Sequence, residues 1–295
     1  MKRALNTFML VCLLSACSTV TAWAQAEKPD AVADRPSQEV SENKDPQSED
    51  AVELNKEYFK GYVSDLKNIV TSPARWDATD WITAVAVTGI AAGLYDNDAK
   101  IQKWVLDHRT TTTDNIGDNA TLVGHGALTA PIVGGMYLYG YLADDGKMRK
   151  TSLLSVESFV LTGVFVQTLK RATGRHRPDT GDPPHTWDGP RIHTPGSHMS
   201  FPTGHGSSAF AIATVIASEY DNIVIPTIAY SVAGITALNR ISHNAHWASD
   251  TFVGSAIGYF TGKAVVASHR GGEGRLSLAP MNIGDNVGMG VTYKF

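Results

Sequence analysis

The chain has 295 residues, of which 43% are hydrophobic, and a formal net charge of −4 at pH 7. This length supports one substantial hydrophobic core or two small ones, and the weak negative charge gives no reason to expect nucleic acid as a partner. Both cysteines, Cys12 and Cys17, lie close to the N-terminus, so no disulfide framework is expected in the mature domain.

The first residues have the pattern of an export signal. Two basic residues are followed by an apolar run from Phe8 to Leu14, which is too short to span a membrane. Two interpretations stay open: a signal peptide at 1–24 with ordinary cleavage after Ala24, or a signal at 1–16 with lipidation of Cys17. We therefore expect export to the bacterial cell envelope, either in the periplasm or associated with the outer membrane.

Residues 25–50 are rich in Pro, Glu, Asp, Ser and Gln and lack aromatic residues, which predicts a disordered linker. From residue 51 to about 270, apolar residues recur at three- and four-residue steps, which predicts an all-α helical domain. Its helices are predicted near residues 54–70, 79–95, 119–142, 150–172, 205–219, 226–239 and 247–267. In the last of these, Gly254, Gly258 and Gly262 share one face, so another helix can approach closely.

Polar residues interrupt most of the apolar runs, for example at Glu157 and Lys263. We interpret the helices as core helices of a bundle rather than bilayer spans, which need about 20 apolar residues. Membrane association is left open, and no oligomeric state is predicted. His125, in a Gly-rich apolar run, is expected to be a hydrogen-bonded core group.

Residues 271–295 alternate with period two on both sides of a Gly-Asp-Asn turn. This pattern predicts a small C-terminal β-hairpin packed on the bundle. The terminal aromatic residue, Phe295, resembles the end of an outer-membrane barrel strand, but one hairpin cannot close a barrel. A non-enzymatic scaffold associated with the outer membrane is therefore kept as an alternative function.

Three stretches concentrate polar residues at predicted helix ends. They are "LKRATGRHRP" with Lys170 and Arg177, "SFPTGHGSSAF" with Thr203, Gly204 and His205, and "NRISHNAHWASD" with Arg240, His246 and Asp250. The three cations can neutralise a phosphate dianion, and the glycines leave backbone N–H groups free at a helix start, where anions bind.

The histidines add reactive groups to these cations. His246 and Asp250 are four residues apart, so on one helix they share a face. Asp250 can then hold one ring nitrogen of His246 and leave the other as a nucleophile. His205 can protonate a leaving oxygen and later activate water.

Taken singly, these residues also have ordinary structural interpretations. Asp250 can be an N-cap, Lys170 can balance a helix dipole, and Arg175 to Arg177 can be a solvated basic patch. The functional interpretation rests on all three stretches carrying such groups at the ends of apolar helices.

In this order, "KRATGRHRP", "PTGH" and "NRISHNAHWASD" resemble K-x(6)-R-P, P-S-G-H and S-R-x(5)-H-x(3)-D. These three motifs are the signature of the type 2 phosphatidic acid phosphatase and vanadium haloperoxidase superfamily. Thr203 and Asn239 replace the usual serines; the first keeps a hydroxyl, and the second is expected to weaken a minor contact. The resemblance implies a helical bundle of the acid phosphatase and haloperoxidase type. It also implies the catalytic residues His246 (nucleophile, forming a phosphohistidine), Asp250 (its orienting partner) and His205 (general acid, then base), and the phosphate-binding residues Lys170, Arg177, Arg240, Thr203 and Gly204.

The same resemblance implies a metal-independent phosphatase that hydrolyses phosphomonoesters or diphosphates, with no cofactor and no metal site. We expect a lipid-linked substrate, such as phosphatidate, an isoprenyl diphosphate or a lipid A phosphate. One alternative is a broad-specificity periplasmic acid phosphatase that acts on phosphorylated small molecules. Another is a vanadium-dependent haloperoxidase, in which vanadate would be the prosthetic group rather than an inhibitor.

Other polar and aromatic residues near the motifs receive simpler interpretations. Trp187 and Trp247 can line the approach of the substrate. Five further histidines are expected on the surface: His176, His185, His193, His198 and His243.

Overall fold

The computed structural model describes residues 54–191, 193–270, 275–283 and 286–294. The predicted signal peptide, the lipidation site Cys17 and the 25–50 linker lie outside the described residues. The described part forms the helices α1 (Lys56–Thr71), α2 (Ala78–Asp107), α3 (Thr111–Gly124), α4 (Gly126–Leu142), α5 (Gly146–Thr173), α6 (Gly204–Glu219), α7 (Val224–Ser242) and α8 (Ala248–His269), and the strands β1 (Arg275–Ile283) and β2 (Asn286–Lys294).

The predicted all-α domain is confirmed, with two corrections to its helices. The helix predicted at 79–95 continues to Asp107, after a start fixed by Asp77, whose carboxylate accepts the N–H groups of Thr79 and Asp80. The single helix predicted at 119–142 is two helices, because the backbone is extended at His125 (φ −85°, ψ 114°). Glycines on both sides of His125 favour this break.

The apolar core lies among α5, α6 and α8. Its buried members are Leu154, Leu161, Val215, Val265 and Val266, and two partly buried residues of α1, Leu66 and Ile69, pack against them. Burial of these side chains is the main favourable contribution to folding, about 1.5–3 kcal/mol for each large aliphatic residue.

The glycine face of α8 packs directly on α6, as the four-residue spacing predicts. A Cβ atom at Gly258 would lie 2.0 Å from the carbonyl oxygen of Ser207, and one at Gly262 would lie 2.8 Å from that of Ala211. At the third glycine, Gly254, a Cβ atom would lie 2.6 Å from the carbonyl oxygen of Thr203. These close approaches hold α6 and α8 side by side from the start of α6 onward.

Among the described residues, three helices are long and apolar enough to cross a membrane: α2, α5 and α7. In α2 none of the apolar 18-residue window is buried, and Ile82 and Val85 are 66% and 70% exposed. The interpretation of these helices as core helices is therefore wrong for the apolar window of α2, none of whose residues is buried. We give the name apolar surface to nine exposed aliphatic residues of the three helices: Ile82, Val85, Ile90, Val156, Val160, Val164, Val224, Ile228 and Leu238.

The C-terminal strands β1 and β2 pair antiparallel, with Arg275 opposite Lys294 and Ile283 opposite Asn286. The expected packing of a hairpin on the bundle is not borne out, because in the described ranges the two strands make no substantial contact with a helix.

Candidate active site

Four helix ends meet where the three motifs lie: the last turns of α5 and α7 and the first turns of α6 and α8. Lys170, in the last turn of α5, is buried and donates to the carbonyl oxygens of Met199 (2.5 Å) and Ser200 (3.5 Å). The N–H group of Thr203, just before α6, donates to the carbonyl oxygen of Asp250 in α8, at 3.1 Å. The segment that leads into α6 is thus tied to α5 and α8 at once.

His246 is buried, and a main-chain hydrogen bond fixes its ring. Its Nδ1 lies 2.7 Å from the carbonyl oxygen of Ser200. Because a carbonyl only accepts, Nδ1 carries the hydrogen, and in the neutral ring Nε2 keeps its lone pair. Burial, followed by the charges of Lys170, Arg177 and Arg240, lowers the pKa of His246 well below its ordinary value. Nε2 is therefore unprotonated at neutral pH, which a nucleophile requires.

The expected hydrogen bond, in which Asp250 accepts from a ring nitrogen of His246, is not found among the described residues. Asp250 instead accepts from the Ser200 hydroxyl (2.5 Å) and the Trp247 N–H (3.1 Å). The Ser200 hydroxyl lies 3.5 Å from His246 Nδ1, so Asp250 acts on the imidazole only through Ser200. The four-residue spacing did place His246 and Asp250 near the start of α8, but the atom that contacts the His246 ring is the carbonyl oxygen of Ser200.

Arg175 is fully buried, which corrects its interpretation as part of a solvated patch. Its guanidinium donates to Asp250 (2.5 Å) and to Asp98 of α2 (2.7 Å). Asp98 also accepts from the N–H group and the hydroxyl of Ser249, at 2.9 and 2.5 Å. The sequence analysis missed Asp98, which ties α2 to the start of α8 and which only its position in an apolar helix could have indicated.

Aromatic rings surround the Arg175 guanidinium. Its central carbon lies 4.8, 4.9 and 5.7 Å from the ring centroids of Tyr95, Trp187 and Trp247, within the range of cation–π attraction. Trp247 is buried and donates its indole N–H to the carbonyl oxygen of His176 (2.9 Å). These two tryptophans, expected to line the substrate's approach, thus contact Arg175 of the site's supporting network.

Three predicted phosphate-binding residues have buried polar atoms without a hydrogen-bond partner in the described part of the chain: Arg177 Nε, Arg240 Nε and Thr203 Oγ1. Buried polar atoms are normally paired, because an unpaired one costs about 1–3 kcal/mol. The charges of Arg177 and Arg240 both act on the His246 imidazole, so their unpaired atoms are an arrangement that a bound oxyanion would complete.

His205 lies in the first turn of α6, next to Gly204. Burial, then the nearby charge of Arg240, lowers its pKa to about 4, and His125, Lys170 and Arg177 act in the same direction. Its ring centroid is 5.5 Å from that of His125. His125 is exposed rather than a core group, because the chain is extended between α3 and α4 at that residue.

Asn239, which was expected only to weaken a minor contact, makes contacts of its own. It is buried, and its amide donates to Thr121 (2.8 Å) and Asp118 (3.2 Å) of α3. Gly117 leaves room for it, since a Cβ atom there would lie 2.2 Å from the Asn239 side-chain oxygen. Asn239 therefore connects α3 to the helix that carries the Arg240 side chain.

Three of the five histidines expected on the surface are instead partly buried: His243, beside Asp118, and the pair His176 and His198, on either side of the loop that follows Arg177. His176 lies 2.7 Å from Asp182, His198 lies 2.7 Å from Asp188, and the two rings stack with centroids 3.7 Å apart. The backbone N–H of Arg177 donates to the carbonyl oxygen of Ser197 in the same loop (2.9 Å). The loop is thus held together on both sides of the arginine.

The all-helical fold, with these motifs at the ends of its helices, is that of a class of helical phosphatases. The PAP2 superfamily matches residues 152–271. A decaprenylphosphoryl-5-phosphoribose phosphatase of Mycobacterium tuberculosis is 31% identical over 138 residues, 47% of this chain and 71% of that protein. The chain belongs to the PAP2 superfamily, whose phosphatases are generally metal-independent, in agreement with the expectation of no cofactor.

Two further proteins are similar over parts of the chain. A lipid A 1-phosphatase of Porphyromonas gingivalis is 32% identical over 127 residues, 42% of this chain but 25% of that protein. The alignment thus spans about a quarter of that relative's length. The crystal structure of LpxE from Aquifex aeolicus superposes with a TM-score of 0.45 at 23% identity, covering 57% of this chain and 94% of that one.

Proposed function

We propose that this chain is a phosphoric ester hydrolase that acts on a lipid-linked phosphate through a phosphohistidine at His246. The observation that carries the proposal is the pair of buried atoms without a partner in the described residues, Arg177 Nε and Arg240 Nε, on side chains whose charges act on an imidazole with an unprotonated Nε2. A phosphate group would satisfy these atoms and present its phosphorus to His246.

The reaction has two steps. In the first, Nε2 of His246 attacks phosphorus, a P–N bond forms, the P–O bond to the leaving group breaks, and protonated His205 gives its proton to the leaving oxygen. In the second, neutral His205 takes a proton from water, the oxygen of that water attacks phosphorus, and the P–N bond breaks to release phosphate. Lys170, Arg177 and Arg240 hold the equatorial oxygens in both steps and stabilise their charge.

His205 must be protonated before the first step, although its pKa is about 4 in the absence of substrate. A bound phosphate dianion favours the charged imidazolium, because opposite charges a few ångströms apart raise the pKa of a histidine. Substrate binding therefore supplies the condition that the acid needs.

The apolar surface supports a lipid-linked substrate in a membrane. Along α5 its nearest member, Val164, is six residues before Lys170, which corresponds to roughly 9 Å. With α2, α5 and α7 in the bilayer, the site would lie close to the level of the lipid headgroups. The relatives named as phosphatases of lipid A and of a decaprenyl-linked sugar phosphate agree with this substrate class.

The test is phosphate release by the protein purified in detergent, from lipid A, a prenyl-linked phosphosugar, phosphatidate and a soluble chromogenic ester. His246→Gln should lower kcat at least about 10³-fold, because it removes the nucleophile. His243→Gln is the matched control, since its imidazole is three residues away and contacts Asp118 instead. Brief incubation with ³²P-labelled lipid should give an acid-labile label on wild type and none on His246→Gln.

Two results would contradict the proposal. Equal phosphate release by wild type and His246→Gln would remove the nucleophile from the mechanism. Turnover of the soluble ester with no turnover of any lipid would instead favour a broad-specificity acid phosphatase. For the membrane part, Val85→Lys should reduce recovery of the protein in the membrane fraction, whereas equal recovery would argue against α2 as a span.

A further inference from the structure

A second polar cluster lies far from the phosphate site, where α1, α5 and α8 meet. It consists of Asp65, Glu157 and His269, and one ligand atom of each lies within 4.8 Å of the others. Glu157 is 13 residues before Lys170 on α5, roughly 20 Å along the helix, and His269 is 19 residues after Asp250 on α8, roughly 28 Å. The cluster therefore lies near the other end of the bundle.

The carboxylate of Glu157 has no ordinary partner. The residue is 0% exposed, and neither of its oxygens has a hydrogen-bond partner among the described residues. The nearest basic atom is His269 Nε2, 3.5 Å from Oε2. Leu154 and Leu161, three and four residues away on the same helix, are buried core residues, so the carboxylate has apolar neighbours along α5.

A hydrogen bond at Nδ1 of His269 determines which of its two ring nitrogens has a lone pair. Nδ1 lies 3.0 Å from the carbonyl oxygen of Val265, so Nδ1 carries the hydrogen and in the neutral ring Nε2 has a lone pair. Metal-binding histidines commonly have this arrangement, in which a carbonyl or carboxylate holds the nitrogen that does not bind the metal. Two lone-pair donors, Glu157 Oε2 and His269 Nε2, thus face each other across 3.5 Å.

The charge of the cluster is also unbalanced. Asp65 is buried, and its Oδ2 accepts the hydroxyl of Ser268 (2.9 Å). In the described residues, no lysine or arginine forms an ion pair with Asp65 or Glu157, and His269 is their one basic neighbour. With His269 neutral, one proton shared by the two carboxylates would leave one buried negative charge, whereas a divalent cation would leave none.

We propose that Asp65, Glu157 and His269 bind one divalent transition-metal ion. Two carboxylates and one imidazole are ligands that Zn²⁺ accepts, at about 2.0–2.2 Å, with a fourth position for water. The ion would fasten α1 to α5 and α8. It is structural and takes no part in phosphate transfer, so it is compatible with metal-independent chemistry at His246.

The test uses the full chain purified in detergent without a polyhistidine tag, stripped with EDTA and reloaded with Zn²⁺ or, in a second arm, Mn²⁺. Elemental analysis after removal of free metal should give one ion per wild-type chain and none for Glu157→Gln or His269→Gln. At a metal concentration of about 100 times Kd, the melting temperature of wild type should rise by about 5–10 °C. Glu219→Gln is the matched control, because Glu219 is also buried but has Lys150 and Arg270 as partners. It should bind and respond as wild type does.

The proposal is overturned if the stripped wild-type chain takes up less than about 0.2 equivalents of either metal and its melting temperature does not change. A shared proton would then hold the cluster together, and Glu157→Gln would be at least as stable as wild type. Uptake by Glu157→Gln and His269→Gln equal to that of wild type would place the metal elsewhere and overturn the proposal too. Elemental analysis of the wild-type chain decides the question even if a variant does not fold, and it does not depend on phosphatase activity.

Discussion

Arg175 gives the most direct test of how the site is held together. It is fully buried between Asp250 at 2.5 Å and Asp98 at 2.7 Å, and it is the one basic group that forms an ion pair with either carboxylate in the described residues. Arg175→Met replaces the charged side chain with an apolar one of similar length. Both carboxylates then remain buried without a cation.

Removing one partner of a buried ion pair costs about 3–5 kcal/mol, because the remaining charge is left uncompensated. Both carboxylates keep neutral donors: Ser249 for Asp98, and Ser200 and the Trp247 N–H for Asp250. We therefore expect the free energy of unfolding to fall by an amount within this range rather than twice it. For a domain of this size, the melting temperature should fall by roughly 6–20 °C.

The assay is thermal unfolding in detergent, followed by loss of phosphatase activity and by tryptophan fluorescence. Arg171→Met is the control, since Arg171 is exposed and, within the described part of the chain, its side chain hydrogen-bonds only Gln167 of its own helix. Arg175→Lys should give an intermediate loss, because one ammonium cannot match the fork of donors that reaches both carboxylates. The reasoning is refuted if Arg175→Met melts within about 2 °C of Arg171→Met.

Three further predictions concern packing, pH and the orientation of the nucleophile. Gly258→Ala should lower the free energy of unfolding by about 1–3 kcal/mol through overpacking, as measured by thermal unfolding. Gly234→Ala, with open space at its Cβ position, should leave it unchanged. Equal effects of the two substitutions would contradict the close approach of α6 and α8. Since the folded pKa of His205 is about 4, below its ordinary 6.5, the unfolded chain takes up this proton first, and stability should fall by up to about 1.4 kcal/mol per pH unit as the pH drops from 6.5 to 4. His205→Gln should make that decline less steep in melting curves at pH 7 and 5, and an unchanged slope would count against the shifted pKa. Ser200→Ala removes the hydroxyl that links to Asp250 but keeps the carbonyl that binds His246, so kcat should fall about 10-fold with little change in KM. If kcat instead fell as far as in His246→Gln, the hydroxyl and not the carbonyl would orient the imidazole.

The sequence was sufficient for the parts of the site that depend on local order. Spacing within each motif predicted which side chains stand at helix ends, and the structure brings all three motifs to one end of the bundle. The roles of these residues remain proposals. The glycine spacing in α8 also predicted a close helix contact, because four-residue spacing puts small residues on one face whatever the rest of the chain does.

The rest depended on contacts between distant segments. Asp98 is 77 residues before Arg175 and belongs to no motif, so nothing local indicated that it would pair with the guanidinium. The acceptor for His246 is a backbone carbonyl, which every residue has and no pattern distinguishes. Whether α2 would be covered by protein was also undecidable from its composition, since core helices and bilayer spans have similar apolar content.

The acceptor for His246 Nδ1 is a main-chain atom, and this has a consequence for how the chain can change. No substitution at Ser200 can delete a carbonyl, so a mutation at that position leaves the main hydrogen bond to the imidazole in place. It is vulnerable instead to anything that displaces the backbone between Met199 and Thr203. Variants that slow the enzyme without touching a reactive group should therefore concentrate where that short segment is anchored, at Lys170 on one side and at Gly254 on the other.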